Sequence, residues 1–247
     1  MKEKPANSAH QKVIENYFQT TSAIGSSQDS ETVSKSLLGL RRQLGTWFEV
    51  SGKNVVDLGS GTGELCKLAR DSGAQTVIGV NMSQGEIDFA RQRVDAQFIL
   101  QDIADYLEQC APESIDQIYA LNILEHLDKD TLLRVLESAY NTLREGGQLV
   151  AMVPNATSPF GGMTRYWDIT HQNAFTPSSV LQLSRLVGFG EKVEFKERGP
   201  IPYGFISSIR YGLWQFIRHI IKSYLMIEHA STKGGIYTAD MMFRMIK

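Results

Sequence analysis

Three stretches of this 247-residue chain carry residues whose types and spacing suit chemistry. In Val55-Val56-Asp57-Leu58-Gly59-Ser60-Gly61-Thr62-Gly63, an apolar run leads into glycines at alternate positions. Glycine permits backbone angles and close approaches that any Cβ blocks, so a ligand can lie directly against such a turn. A helix starting beyond it offers free N–H groups to a carboxylate or phosphate. A dinucleotide site wants Gly-x-Gly-x-x-Gly, whereas here the third glycine comes one residue early. The second stretch is Asn122-Ile123-Leu124-Glu125-His126-Leu127. The third runs from Pro154-Asn155 through Arg165-Tyr166-Trp167-Asp168-Ile169-Thr170-His171 to Phe175-Thr176-Pro177. A histidine beside an acid is the usual equipment for moving a proton near neutral pH, with Asp168 orienting His171 or fixing its tautomer. Plainer roles remain open for each: a bare strand–helix turn, a pocket-wall or helix-capping His126, and aromatics that only pack.

Patterning along the chain says what must hold these stretches. Residues 8–47 read as two helices separated by the polar Gly25–Asp29, the second with Leu37, Leu38, Leu40, Leu44, Trp47 and Phe48 on an apolar stripe. From Lys53 onward, short β-rich runs alternate with amphipathic helices. Strands are expected at Asn54–Leu58, Thr76–Val80, Gln97–Leu100, Ile115–Leu121 and Gln148–Val153, with two more near Lys192–Lys196 and Thr238–Met245. Between them, a helix runs from about Gly63 to Arg70, and Ser83-Gln84-Gly85-Glu86 has the spacing of a capping box. A helix from Asp130 to Leu143 ends at Gly146-Gly147 as a C-terminal cap, and Thr176-Pro177 starts another. Strand–helix alternation through residue 153 implies a parallel sheet with helices on both faces. All three chemical stretches then fall at the carboxyl ends of strands, where open α/β sheets bind ligands.

The glycine pattern after an Asp-bearing strand resembles motif I of the class I S-adenosylmethionine-dependent methyltransferases. That resemblance covers residues 53 to about 153 well, and the rest more loosely. It implies a Rossmann-like seven-stranded, mostly parallel sheet with helices on both faces, plus N-terminal helices and a C-terminal helical insertion at 203–230. One domain is expected: a helical cap (1–50), a cofactor core (51–153) and an acceptor-side half (154–247). S-adenosylmethionine would lie on Gly59, Ser60, Gly61 and Gly63, with Asp57 supporting the turn. The ribose position falls on Asn81-Met82, where Asn lacks the charge of the family's usual acid. The adenine position falls on Asp102-Ile103, for which a plain helix N-cap is the alternative. Asn122 would complete the pocket.

Glu125-His126-Leu127 resembles O-methyltransferases of ubiquinone synthesis and of small-RNA 2′-O-methylation, some of which hold a divalent metal through an additional acid. Here Asn122 replaces that acid, which weakens a hard-cation site, so a divalent metal is not favoured although Glu125, His126 and His171 remain. Asp168-x-Thr170-His171 followed by Phe175-Thr176-Pro177 is similar to methyltransferases encoded with bacterial surface-polysaccharide synthesis. The acceptor implied is a sugar or glycan hydroxyl. His171 is the favoured base over His126, helped by Asp168 or Glu125, and Arg165, Tyr166, Trp167 and Asn155 would contact the acceptor. A phenol, a quinone precursor, a carboxylate acceptor and a non-catalytic cofactor-binding protein are the rival readings.

Composition bounds the partners. A net charge of -2 gives no basis for bulk nucleic-acid binding. Two cysteines without metal spacing, and a polar N-terminus, point to a cytoplasmic setting. Arg210, Arg218 and Lys222 interrupt the apolar segment 205–227, which excludes a bilayer span and leaves a lid, a homodimer seam or a peripheral membrane contact.

Overall fold

The computed structural model describes residues 19–20, 30–229 and 235–247. The first of the two expected N-terminal helices therefore lies almost wholly outside the described residues. The second is α1 (Ser30–Leu44), followed by a single 3-10 turn at Gly45–Trp47. Leu44, Trp47 and Phe48 are buried by it, whereas Leu38 faces outward.

The core follows in alternation: β1 (Asn54–Leu58), α2 (Glu64–Asp71), β2 (Thr76–Asn81), α3 (Gln84–Arg91), β3 (Gln97–Leu100), α4 (Ile103–Gln109), β4 (Ile115–Leu121), α5 (Lys129–Thr142) and β5 (Leu143–Pro154). Short α6 (Gly161–Arg165), then α7 (Pro177–Val187), β6 (Val193–Glu197), α8 (Phe205–His229) and β7 (Asp240–Ile246) complete it. The seven strands lie in the order β3-β2-β1-β4-β5-β7-β6, with β7 antiparallel to both neighbours. One face buries Val55, Leu65, Ile87, Phe98 and Tyr119 beneath α1, α2 and α3, while the other buries Leu58, Leu107, Leu136 and Val180 beneath α4, α5 and α7. Near-continuous apolar strands are what a sheet covered on both faces requires. Sequence order reverses between β1 and β4, so their carboxyl ends open a crevice.

One expected boundary was misplaced. Gly146-Gly147 does not cap a helix: α5 ends at Thr142, and both glycines lie inside β5. A Cβ on Gly147 would stand 2.8 Å from the Arg144 carbonyl and 3.0 Å from that of Asp116. Gly147 thus serves close strand contact where the β4–β5 register shifts between Ile115 and Gln117, while Gly146 supplies a left-handed turn of the backbone at φ +76°.

The long segment after β5 is tied down by Asn155, which was expected to touch an acceptor but is wholly buried. Its amide donates to the carbonyls of Ile236 (3.1 Å) and Thr238 (2.8 Å), and its oxygen accepts from the Thr157 N–H at 3.0 Å. Every polar group of the side chain is thereby engaged with protein. Asn155→Ala is expected to cost on the order of 2–3 kcal/mol by leaving these groups unpaired. Urea unfolding at constant m-value measures this, and a loss below about 0.5 kcal/mol would mean that the tether is slack.

Candidate active site

After β1 the backbone turns through Gly59 at φ +70° and Gly61 at φ +50°. A Cβ on Gly59 would meet the Ile123 side chain at 2.8 Å, whereas one on Gly61 would project into open space with Glu86 Oε1 nearest at 3.9 Å. That space is a cavity of about 450 Å³ at the β1/β4 crevice. Of the residues expected to bind a cofactor, Gly59, Gly61, Asn81, Met82, Asp102, Ile103 and Asn122 line it. Asp57, Ser60 and Gly63 stand behind the wall. Asp57 is buried and accepts a hydrogen bond from the Cys66 thiol at 3.5 Å, and Gly63 packs close to Ala90 and Phe98.

Asn81 does not present its side chain as expected. Its oxygen accepts from the N–H groups of Met82 (2.8 Å) and Ser83 (3.4 Å), and its amide donates to Glu86 Oε2 at 2.7 Å. A buried carboxylate that sequence reasoning took for a capping partner therefore lines the cavity beside it. Ser83 caps α3 through the Glu86 N–H, and with its own N–H held by Asn81 the Glu86 carboxylate turns to the cavity side. Asp102 is the helix N-cap that was the plainer alternative, with Oδ1 accepting from the Ala104 and Asp105 N–H groups, and the residue also lines the cavity. Asn122 lies at φ +56°, a left-handed conformation that Asn tolerates better than most residues. The backbone thus accounts for Asn at this position.

The ionisable residues gather at the cavity's far end. His126, on the 3-10 turn Leu124–His126, lines the cavity with Thr170 and Gln172. Its Nδ1 lies 2.6 Å from Thr170 Oγ1, and the Thr170 hydroxyl donates to Asp168 Oδ1 at 2.6 Å. An ionised carboxylate only accepts, so the hydroxyl's lone pair takes the His126 Nδ1–H, leaving Nε2 as the basic nitrogen. Asp168 thus reaches His126 through Thr170. His171 sits edge-on to His126 with ring centroids 4.6 Å apart, donates Nδ1–H to the Thr164 carbonyl (2.9 Å), and brings Nε2 to 3.9 Å from Glu125 Oε1. Glu125 is buried, with Oε2 lacking a hydrogen-bond partner among the described residues. Burial, with lesser contributions from Asp240 and Asp168, pushes its carboxyl up to about 8. Glu125, His126 and His171 offer ligand atoms within 4.8 Å of one another, a set able to hold a metal ion.

Arg165 grips the carbonyls of His171 and Gln172, so it shapes this loop. Gln172 returns a bond to the His126 carbonyl at 2.9 Å. Tyr166 and Trp167 project outward, 80% and 79% exposed. Sequence reasoning missed Ser83, Glu86, Thr131, Thr170 and Gln172 on the cavity wall. Thr170 was discoverable, because it sits inside the Asp-x-Thr-His run.

Residues 31–190 match the family model described as a methyltransferase domain. Among curated proteins, methyltransferase GfsG of Streptomyces halstedii is 35% identical over 118 residues, which cover 44% of this chain and 41% of that protein. The match thus spans about two-fifths of the relative's length. Among solved structures, a SAM-dependent methyltransferase from Archaeoglobus fulgidus superposes with a TM-score of 0.68 at 20% identity, covering 94% of this chain and 99% of that one. Phosphoethanolamine N-methyltransferase 2 of Haemonchus contortus, in complex with S-adenosyl-L-methionine, gives 0.57 at 16% identity, covering 87% and 52%.

Two buried carboxyls set the pH response of the fold. Burial raises Asp57 from 3.8 to about 7, and Glu125 from 4.5 to about 8. Between these limits the folded chain holds protons that the unfolded chain has released, so stability falls as pH rises through the window. We expect Tm to drop by about 5 °C or more from pH 5 to pH 8, and by clearly less in Asp57→Asn. Thermal melts with parallel pH slopes for the two proteins would reject this assignment.

Proposed function

We propose that this chain, which belongs to the methyltransferase-domain family, transfers a methyl group from S-adenosylmethionine to a hydroxyl of a sugar or glycan. The observation that carries the reading is the Asp168–Thr170–His126 chain at the edge of the glycine-turn cavity.

The residues present fit the cofactor. A cavity of about 450 Å³ lies within the range of small-molecule sites, roughly 300–1,000 Å³. It is floored where Gly61 leaves room and walled by a buried carboxylate. Glu86 would take the part of the acid missing at Asn81: its carboxylate, held by the Asn81 amide, would accept hydrogen bonds from the ribose hydroxyls. Asp102 and Ile103 would hold the adenine. When bound, S-adenosylmethionine supplies a methyl group already activated by its sulfonium. The chain's own tasks are to align the acceptor oxygen, exclude water and take the acceptor's proton. His126 Nε2 takes it, in preference to His171, because His126 lines the cavity and its tautomer is fixed by Thr170. His171 and Glu125 back the imidazole. Tyr166 and Trp167 offer apolar faces on which a sugar ring can stack.

A second reading rests on the convergence of Glu125, His126 and His171. Two imidazoles and a carboxylate suit a borderline divalent ion better than a hard one, and such an ion would lower the pKa of a bound hydroxyl.

Glu86→Ala is expected to weaken S-adenosylmethionine binding about tenfold to a hundredfold by calorimetry, the scale for a charge-assisted hydrogen bond. Unchanged affinity would remove Glu86 from the cofactor site. His126→Ala should keep cofactor affinity while lowering kcat about a hundredfold against a sugar-acceptor panel. Activity indifferent to this change would favour a carboxylate acceptor, which needs no base, and activity abolished by chelator and restored by metal would favour the second reading.

A further inference from the structure

Helix α8 spends 25 residues exposing large apolar side chains. Phe205, Ile209, Leu213, Phe216, Ile220 and Ile227 recur every three, four or seven positions and so share one side of the helix. All six are exposed, Phe205 and Ile227 by 83% and 86%. The protein-facing side is another one: Trp214, Arg218, Ile221 and Leu225 are only partly exposed, and Arg218 pairs with Glu197 at 2.9 Å. Nothing among the described residues covers the apolar stripe.

Charge points to what does. No acidic residue occurs from Phe205 to Ile227, while Arg210 lies on one flank of the stripe and His219 and Lys222 on the other. Neither Arg210 nor Lys222 enters an ion pair or hydrogen bond among the described residues. In a chain of net charge -2, this helix carries cations on both flanks of its apolar stripe and no acid before Glu228. A second copy of the chain would set one cationic helix against another, with no acid before Glu228 to pair them. An anionic bilayer satisfies both the stripe and its flanks. No helix among the described residues is long and apolar enough to cross a membrane, so contact is in the interfacial plane.

We propose that α8 is a peripheral docking helix that lays its apolar stripe into the headgroup–acyl boundary of an anionic membrane. Attraction of about fivefold in partition per cation follows from the negative surface potential of such a membrane.

Co-sedimentation of the full chain with vesicles tests this independently of turnover. With phosphatidylcholine containing one part in about three of phosphatidylglycerol, the protein should pellet, with affinity at least about tenfold above that for phosphatidylcholine alone and falling with salt. Phe216→Glu combined with Ile220→Glu should abolish pelleting while leaving the circular dichroism melt unchanged. Arg210→Gln with Lys222→Gln should lower the affinity about tenfold or more. Absence of pelleting by the folded chain, equal affinity for the neutral vesicles, or pelleting undiminished in the double-glutamate variant would each overturn the proposal. So would sedimentation velocity showing a dimer that the double-glutamate variant dissolves, with vesicles left unbound.

Discussion

The carboxyl ends of β1 and β4 approach so closely that a single added methyl group at Gly59 would stand 2.8 Å from the Ile123 side chain. Everything at the site depends on this approach. It requires the two strands to be parallel neighbours, which the β3-β2-β1-β4 order supplies, and it requires the turn after β1 to carry no Cβ. Ile123 in turn sits between Asn122, whose left-handed backbone bends the chain out of β4, and the 3-10 turn that presents His126. The glycine turn and the turn that carries His126 are thus joined by one steric contact between two loops, and packing fixes their relative position.

Polar groups at the cavity wall are arranged in pairs of holder and held. Asn81 spends its oxygen on two backbone N–H groups and its amide on Glu86, so a carboxylate stays fixed in a buried place. Thr170 stands in the same relation between Asp168 and His126. In each case the holder fixes the orientation of a side chain that lines the cavity. Such preorganisation is what a methyl transfer needs, because a methyl on a sulfonium is already activated, its neutral thioether leaves readily, and alignment is the principal remaining task.

The sheet was largely legible in the sequence, because five parallel strands buried on both faces must read as short apolar runs. Asn54–Leu58, Gln97–Leu100 and Ile115–Leu121 match residue for residue. Gly146-Gly147 misled, since the same residue type that caps helices also permits close strand contact, and only the register with Asp116 tells the two apart. Within the site, the glycine turn and Asp102 were readable because their roles are local. Glu86 was seen but given a capping role: whether its carboxylate faces the Ser83 N–H or the cavity depends on Asn81, which reached that N–H first. Asn155 was misassigned for the opposite reason, since its partners at Ile236 and Thr238 lie some 80 residues away and no local pattern announces them.

The loop from Pro154 to Phe175 is anchored to the 236–239 backbone by Asn155, Ser158 and Thr164, across its own turn by Arg165, and to the 122–127 turn by Gln172 and Asn173. Gln172 and Asn173 bond backbone carbonyls of Glu125, His126 and Leu127, groups that every amino acid carries. Bonds of that kind place no demand on the side chains of the 122–127 turn, and only Thr170 and His171 reach across to particular ones, His126 and Glu125. The outward-facing Tyr166 and Trp167 can therefore change without disturbing how the strand ends beneath are packed. The architecture separates a rim that can vary from a floor that cannot.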